Sequence, residues 1–351
     1  MSLPPLTRRA FGAVSALSAA AVWAPAIGVR AQTDGAALGR VTVAVGGQGV
    51  LYHLPLALAD ALGYFRLEGL DVVVRDYSAG ALAWQAVQDG AADVCSGAFE
   101  HVLRAQARGH AYRALVVQGR APQLALGVSL RSVPAYKDLG DLAGRKVGVS
   151  SVGSSTHLAA SLMLMRAGVP LREVSFVGVG SGTNAMNALR SGQVQALCHA
   201  DPIMTLLEQK ADTRIVGDLR SLKAAQDMFG GTMPASCLYA PQAFIQKQAA
   251  QAQALVNGVV HALKWLQTAS PADLIKAVPA SYVLGDRAVY LAAFNRVRET
   301  FSPNGLMPED GPATTLRALA QAYPHMASPR VSLPRTFTDD LARKARQKFG
   351  V

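Results

Sequence analysis

The fold of this chain is interpreted from one stretch, Arg145–Ala160, with the sequence RKVGVSSVGSSTHLAA. It begins with a short run typical of a β-strand, passes through small residues, and continues with apolar residues at helical spacing. A strand, a turn of small residues and a helix in this order are typical of one unit of a parallel sheet covered by helices. Ser154, Ser155 and Thr156 are therefore predicted at the N-cap and in the first turn of a helix.

The three hydroxyl residues at this predicted helix start have two interpretations. A helix N-terminus presents unpaired N–H groups and a partial positive charge, so hydroxyls aimed at the same point would suit an anion. Alternatively, Ser154 or Ser155 simply caps the helix, as serine often does. The stretch alone leaves both interpretations open.

Two segments of the chain share the same alternation of short strands and helices. In the first, the pattern predicts strands at Arg40–Val45, Asp71–Arg75, Ala92–Ser96 and Tyr112–Gln118, and helices at Pro55–Leu62, Gly80–Asp89 and Phe99–Ala107. In the second, it predicts strands at Lys146–Ser150, Glu173–Val177, Val194–His199 and Thr213–Val216, and helices at Ser154–Ala167, Gly182–Arg190 and Ile203–Gln209. The sequence therefore predicts an α/β protein of two lobes, each a mainly parallel sheet flanked by helices.

The remaining segments predict how the lobes are joined. Extended apolar runs at about 123–129 and 236–240 are interpreted as a two-stranded hinge. The first lobe then comprises residues 40–122 and 241–351, and the second comprises residues 130–235. The returning chain is predicted to be a C-terminal helical segment, with helices at Gln242–Thr268, Pro271–Ala277, Asp286–Thr300, Thr314–Ala322 and Asp339–Phe349.

The carboxyl ends of the predicted strands are rich in small and hydroxyl residues. Ligands of open α/β sheets bind beyond these ends. The loops in question are Gly46–Gly49, Ser78–Gly80, Ser96–Ala98, Ser150–Thr156, Gly180–Gly182 and His199–Pro202. If the two lobes face each other, these loops line one cleft suited to a small anionic or polar ligand.

The N-terminus has the pattern of an export signal over residues 1–31. Thr7-Arg8-Arg9-Ala10-Phe11 is a twin-arginine pattern, and an Ala-rich run broken by Pro25 and Gly28 follows it. Small residues at Val29 and Ala31 predict cleavage before Gln32. The protein is therefore expected in the periplasm, exported by the twin-arginine route or by the general secretion route.

Composition excludes several other classes. The chain has 351 residues, a formal net charge of +11 and three cysteines, Cys95, Cys198 and Cys237. Its basic residues are scattered without interleaved aromatics, which does not favour nucleic-acid binding. The odd number of cysteines without CxxC spacing argues against a disulfide framework and a zinc site. We therefore expect no metal and no cofactor. We also expect the protein to be a monomer.

Several motifs in fixed order point to a known family. In the first half they are Pro55–Phe65 (PLALADALGYF), Glu68–Val72 (EGLDV), Ser78–Gly80 (SAG) and Gly90–Val94 (GAADV). In the second half, Gly144–Val149 (GRKVGV) precedes Gly153–His157 (GSSTH), and a strand ends before Asp201-Pro202. Over roughly Val41 to Ala240 the chain resembles the periplasmic solute-binding proteins of nitrate/sulfonate/taurine-type ABC importers, including the alkanesulfonate-binding and thiamine-pyrimidine-precursor-type binding proteins.

The resemblance implies a type II periplasmic-binding fold that closes on one solute, and delivery to a membrane permease and an ATPase. It also implies ligand contacts from Gln48, Tyr52, His53, Ser78, Ser96, Ser154, Ser155, Thr156, His199 and Asp201. Members often have an aromatic residue or Glu before the proline, where this chain has His199-Ala200-Asp201. Asp201 would repel a doubly charged anion, or accept a hydrogen bond from an amine or hydroxyl of the ligand.

The residues themselves add one candidate contact and two alternative functions. Arg120 follows a predicted strand and offers a guanidinium to a carboxylate or sulfonate. No Gly-x-Ser-x-Gly elbow, Walker loop or dinucleotide-binding glycine pattern is present, which argues against an enzyme. The sequence therefore predicts the binding component of an importer for a small organic anion, a sulfonate or a carboxylate. The alternatives are a neutral or cationic pyrimidine-type solute, and a ligand-sensing partner of a membrane receptor.

Overall fold

A computed structural model describes residues 37–327 and 331–351. The described residues include ten strands: β1 (Arg40–Gly46), β2 (Asp71–Tyr77), β3 (Val94–Ala98), β4 (Tyr112–Val117), β5 (Leu124–Ser129), β6 (Lys146–Val149), β7 (Ser175–Gly178), β8 (Ala196–Ala200), β9 (Thr213–Asp218) and β10 (Ser236–Pro241). The predicted signal segment, residues 1–31, lies outside the described residues.

The same residues form fourteen α-helices, most of them between consecutive strands. They are α1 (Leu54–Ala61), α2 (Tyr64–Leu67), α3 (Gly80–Gln88), α4 (Glu100–Ala107), α5 (Ser155–Arg166), α6 (Thr183–Arg190), α7 (Ile203–Gln209), α8 (Leu222–Phe229), α9 (Gln242–Lys247), α10 (Ala249–Thr268), α11 (Pro271–Ala277), α12 (Arg287–Val297), α13 (Gly311–Ala322) and α14 (Asp340–Phe349). No helix among the described residues is long and apolar enough to cross a membrane.

The first sheet has the strand order β2-β1-β3-β10-β4. Strand β1 runs parallel to β2 and β3, whereas β10 is antiparallel to β3 and β4. Val41 and Val43 pack into one buried cluster, while Ala44 packs into another. Because alternate residues of a strand face opposite sides of the sheet, both faces of β1 are covered, which explains its continuous run of small and apolar residues. We call this sheet and its helices the first lobe.

The second sheet repeats the arrangement with the order β7-β6-β8-β5-β9. Strand β6 is parallel to β7 and β8, and β5 is antiparallel to β8 and β9. Leu124 and Leu126 pack into one cluster, and Ala125 packs into a different one. The expected α/β fold, with two mainly parallel sheets flanked by helices, is therefore confirmed. We call this sheet and its helices the second lobe.

The chain passes between the sheets at residues 118–123 and 219–235. These connections pair with each other: the Gly119 amide donates to the Ser236 carbonyl at 3.0 Å, and the Ala235 amide donates to the Gly119 carbonyl at 3.0 Å. The runs expected to form a two-stranded hinge are instead strands of opposite sheets, β5 in the second and β10 in the first. Both runs are apolar and almost fully buried, which an inner sheet strand satisfies and a solvated hinge does not.

The C-terminal helices pack on the first lobe and also contact the second. Helix α10 packs against α1, α2 and β4, and Phe65 fills the space beside Gly258, where a Cβ would lie 2.5 Å from the ring. Helices α12 and α13 contact α7 and α5 of the second lobe. The single helix predicted at Gln242–Thr268 is two helices, because the backbone at Gln248 (φ −123°, ψ 43°) leaves the helical region.

Candidate ligand-binding site

A cavity of about 40 Å³ lies between the carboxyl ends of the strands of both sheets. Such a volume has room for about three water molecules. We call it the inner cavity. The first lobe contributes Gly46, Val50, Tyr52, His53, Gly80, Gly97, Ala98 and His101, and the second contributes Leu124, Ser150, Ser155, Thr156, Ser181, His199 and Ala200. Five of the residues that the sequence singled out therefore line one cavity: Tyr52, His53, Ser155, Thr156 and His199.

Tyr52 and His53 reach the inner cavity from a short 3₁₀ turn, Leu51–His53, that follows β1. The Tyr52 hydroxyl is buried and has no hydrogen-bond partner among the described residues. His53 Nδ1 lies 3.0 Å from Ser96 Oγ, which also accepts a hydrogen bond from Gln118 Nε2 at 3.0 Å. Ser96 therefore positions the His53 ring through this hydrogen bond and does not itself line the cavity. Burial lowers the pKa of His53 to about 3, so its ring is neutral at pH 7.

His199 presents an unused acceptor to the inner cavity from the end of β8. Its Nδ1 lies 3.2 Å from the Ala200 carbonyl oxygen, which can only accept, so Nδ1 donates. Burial lowers the pKa of His199, against the opposing effects of the Ala200 and Gly180 backbone groups, so the ring is neutral at pH 7. Nε2 is buried without a partner among the described residues. The ring is thus set to receive an N–H or O–H of a bound molecule.

The hydroxyl residues at the start of α5 have three different roles. Ser154 is the N-cap residue, but its side chain makes no capping hydrogen bond. Its Oγ instead accepts from the Ala81 amide of the first lobe at 3.1 Å and lies 2.8 Å from Ser151 Oγ. Thr156 Oγ1 accepts from the Ser150 amide at 2.9 Å, whereas Ser155 lines the cavity. The capping interpretation is therefore wrong for Ser154, whose hydroxyl is used where the two lobes meet.

Asp201 and Arg120 do not line the inner cavity. Asp201 is 1% exposed, lies 3.3 Å from Arg220 Nη1, and accepts from the Thr205 amide at 2.8 Å. Its carboxylate is therefore held within the second lobe. The Arg120 guanidinium donates to the Glu299 carbonyl at 3.1 Å and lines a surface pocket beside the C-terminal helices.

Gln48 and Ser78 line a larger chamber of about 440 Å³ at the mouth of the cleft, which we call the outer chamber. Val50 and Ser181 line both this chamber and the inner cavity, so the two spaces adjoin. Gly47 (φ +85°) lies between them, where a Cβ would be 2.4 Å from Ser181 Oγ of the second lobe. The lobes meet so closely here that only glycine fits at residue 47.

Two polar residues near the inner cavity were absent from the sequence prediction, Glu100 and His101, whereas Ser150 and Ser181 lie in loops that were predicted to line the cleft but were not named as ligand contacts. Glu100 lines a smaller adjoining cavity of about 20 Å³, which we call the deep chamber. Its Oε1 is buried without a hydrogen-bond partner among the described residues, and burial raises its pKa to about 7 against the opposing effect of Arg104. Glu100 and His101 begin the helix that directly follows β3, and this position beyond a strand end was the available sequence signal.

Electrostatically, the inner cavity and the deep chamber are close to neutral. Among their described lining residues there is no lysine or arginine. Burial lowers the pKa of His101, as of His53, to about 3. Within the described residues no group of three His, Cys, Asp or Glu side chains is arranged to hold a metal ion. The site therefore offers hydrogen bonds and apolar contacts to a ligand, and no opposite charge to an anion.

Two five-stranded sheets flanked by helices, with a cavity between their strand ends, define a periplasmic binding protein fold. Within this class, the chain belongs to the NMT1/THI5-like family, whose model matches residues 50–272.

Three solved structures illustrate the likeness. A protein from Bordetella bronchiseptica RB50 is 47% identical, with a TM-score of 0.86 over 89% of this chain and 98% of that one. The alkanesulfonate-binding protein SsuA from Xanthomonas axonopodis pv. citri, bound to MOPS, is 18% identical, with a TM-score of 0.66 over 85% and 98%. The nitrate-binding protein NrtA from Synechocystis PCC 6803 is 13% identical, with a TM-score of 0.64 over 88% of each chain. The last two likenesses are of fold alone; together with the family match over residues 50–272, they agree with the resemblance recognised in the sequence.

Curated relatives include both binding proteins and enzymes. The binding protein YtlA of Bacillus subtilis (strain 168) is 20% identical over 74% of this chain and 76% of its own length. The 4-amino-5-hydroxymethyl-2-methylpyrimidine phosphate synthase THI13 of Saccharomyces cerevisiae is 24% identical over 157 residues, 45% of each chain. The chain therefore spans less than half the length of this synthase.

Proposed function

We propose that this protein is the solute-binding component of an ABC importer and that it captures a small neutral or cationic organic solute in the inner cavity. One observation carries the proposal. Among the described residues, Tyr52 of the first lobe and His199 of the second line a single cavity that has no lysine or arginine, and the Tyr52 hydroxyl and His199 Nε2 are each buried without a partner. Unsatisfied buried groups are costly, and a bound solute that hydrogen-bonds to them offsets this cost.

The same observation argues against the organic anion that the sequence suggested. An ionised sulfonate or carboxylate enclosed without a cation loses its hydration and gains no charge partner. Arg120 would have supplied that charge, but its guanidinium is bonded to Glu299 outside the cavity. The N-terminus of α5 offers only a partial charge, and the neutral His199 offers a lone pair.

A small nitrogen heterocycle suits the lining better. Such a ring presents N–H donors and ring-nitrogen acceptors at its edge and apolar faces above and below. Tyr52 and Ser155 can donate or accept, and His199 can accept. The synthase relatives are named for an aminopyrimidine product, and this class of compound is the alternative ligand raised by the sequence.

The proposal places the protein in the periplasm as a monomer that delivers solute to a permease and an ATPase, without turnover. The export pattern in residues 1–31 and the likeness to importer binding proteins support this part of it.

A ligand screen tests the proposal. The purified protein is melted with 4-amino-5-hydroxymethyl-2-methylpyrimidine, 4-amino-2-methylpyrimidine, ethanesulfonate, MOPS, benzoate or nitrate. A ligand that binds only the folded state raises the melting temperature. We expect shifts with the pyrimidines and unchanged pyrimidine on incubation. Shifts with the anions alone would overturn the neutral-solute proposal.

A substitution then links binding to the cavity. His199→Leu removes the unpaired acceptor and should weaken pyrimidine binding by about tenfold, the effect of losing one well-placed hydrogen bond in a dry site. The matched control is His110→Leu, because His110 is exposed. Equal affinities of the two variants would place the ligand elsewhere.

A further inference from the structure

We infer that Glu100 sets the ligand class by accepting a hydrogen bond from an amino group that the solute inserts into the deep chamber. The inference rests on the proposed function, because it requires a solute in the inner cavity. The solutes concerned are amines, amidines and amino-substituted heterocycles.

Glu100 is an acidic group in apolar surroundings. The residue is 3% exposed, and its Oε1 has no hydrogen-bond partner among the described residues. Most of the deep chamber is apolar, with Pro122, Leu124, Leu158, Ala159, Leu162, Phe229, Met233, Pro234 and Ala235 in its lining. A carboxyl group buried in this way costs stability unless something binds it, which distinguishes Glu100 from a solvated helix residue.

The neighbouring side chains do not account for Glu100. The Arg104 guanidinium donates to the Gly153 carbonyl at 2.5 Å and lies over the rings of Trp84 and Tyr323. His101 Nε2 is 3.9 Å from Glu100 Oε1, beyond hydrogen-bond distance, and burial keeps its ring neutral. Neither Arg104 nor His101 therefore donates a hydrogen bond to Glu100 Oε1.

The inner cavity and the deep chamber adjoin each other. Tyr52, Leu124 and Ser155 line both spaces. A ring held beside His199 can therefore direct a substituent past Tyr52 towards Glu100. The Tyr52 hydroxyl, also without a partner, lies at this boundary and can bond the same substituent. A carboxylate accepts N–H donors from a neutral or a protonated amino group, whereas a methyl group in the same place would leave it unpaired.

A matched pair of ligands tests the inference by calorimetric titration. The probes are 4-amino-2-methylpyrimidine and 2,4-dimethylpyrimidine, which differ by an amino and a methyl group of similar size. We expect the wild type to prefer the amino compound by more than about tenfold. Glu100→Leu should abolish this preference, chiefly by weakening the amino compound, while Glu100→Gln, which keeps an acceptor oxygen, should retain part of it.

Glu309→Gln is the control, because Glu309 is exposed. Equal binding of the two probes by the wild type, or an unchanged preference in Glu100→Leu, would overturn the role of Glu100 and leave the proposed function standing. Binding of the anions in place of both pyrimidines would overturn the proposed function as well. Melting curves establish that each variant folds, and Glu100→Gln provides the comparison if Glu100→Leu does not.

Discussion

The hydroxyl of Ser154 on the second lobe accepts a hydrogen bond from the backbone amide of Ala81 on the first, at 3.1 Å. The residue before it, Gly153, accepts from the Arg104 guanidinium of the first lobe at 2.5 Å. The loop that precedes α5 is therefore held by the first lobe at two consecutive residues. These bonds exist only while the lobes are together, so they stabilise the closed arrangement that encloses the inner cavity.

Ser154→Ala should weaken ligand binding without unfolding the protein. The change removes one hydrogen bond between the lobes, worth about 1 kcal/mol, so we expect an affinity for 4-amino-2-methylpyrimidine about fivefold lower. Calorimetric titration measures the affinity, and urea denaturation measures the free energy of unfolding. Ser132→Ala, on the second lobe away from the cavity, is the control. A lower free energy of unfolding with unchanged affinity would mean that Ser154 supports only α5.

Tyr52→Phe should separate the function of the hydroxyl from that of the ring. Because this buried hydroxyl has no partner among the described residues, its removal should leave the free energy of unfolding of the ligand-free protein unchanged or raise it by about 1 kcal/mol. Pyrimidine affinity should fall by about tenfold. Tyr64→Phe, on a ring that stacks with His261, is the control for both measurements. A clear loss of stability in Tyr52→Phe would show that the hydroxyl is satisfied in solution.

Arg220→Met should destabilise the second lobe strongly. Arg220 is 1% exposed and pairs with Asp201 and Asp218, so its loss leaves the buried Asp201 carboxylate without a charge partner. We expect the free energy of unfolding to fall by about 3–5 kcal/mol in urea denaturation. The control is Arg190→Met, because Arg190 pairs with Asp212 on the surface, and such a pair contributes about 0–1 kcal/mol. Similar losses in the two variants would contradict the assigned role of the buried pair.

Glu100 should make the ligand-free protein less stable as the pH rises. Burial raises its pKa from the ordinary value of 4.5 to about 7, so the folded state binds more protons than the unfolded state between these values. The contribution of Glu100 is fully present below pH 4.5 and is lost as the pH rises through 7, by roughly 3 kcal/mol in total. The groups that face it are Arg104, His101, Tyr52, Tyr323, Cys237 and Tyr239.

The measurement is the difference in free energy of unfolding between the wild type and Glu100→Gln from pH 4 to 8. Taking the difference is necessary because His53 and His101, with pKa values lowered to about 3, have the opposite trend and increase stability as the pH rises towards 6.5. The histidines are common to both proteins, so their effect cancels. A difference that does not change with pH would show that Glu100 is solvated in the folded state.

Short-range patterns predicted the fold because it is built from local units. The alternation of strands and helices defined both lobes, and the small residues at strand ends indicated where the inner cavity lies. The strand β5 was assigned to a hinge because an apolar run such as Leu124–Ser129 predicts a strand without naming its neighbours. Antiparallel pairing of β5 with β8 and β9 is a long-range property.

The candidate site was harder to predict, for the same reason. Tyr52 and His199 were proposed as contacts from the family resemblance and both line the inner cavity, whereas Asp201 is paired with Arg220, which is 19 residues away in the sequence and was not anticipated. Glu100 was missed because a charged residue in a helix usually lies on the solvated face. It shares the lining of the deep chamber with Tyr52 and Leu158, which come from opposite lobes.

The close approach of Gly47 to Ser181 has a consequence for the kinetics of release. These residues lie between the inner cavity and the outer chamber, and a Cβ at residue 47 would overlap the Ser181 side chain. We expect a bound solute to leave only after the lobes separate, with a residence time set by the opening rate and not by diffusion through a gap. Gly47→Ala would keep the passage open and shorten the residence time, a change that stopped-flow measurement of dissociation would detect even where the equilibrium contacts to the solute are unchanged.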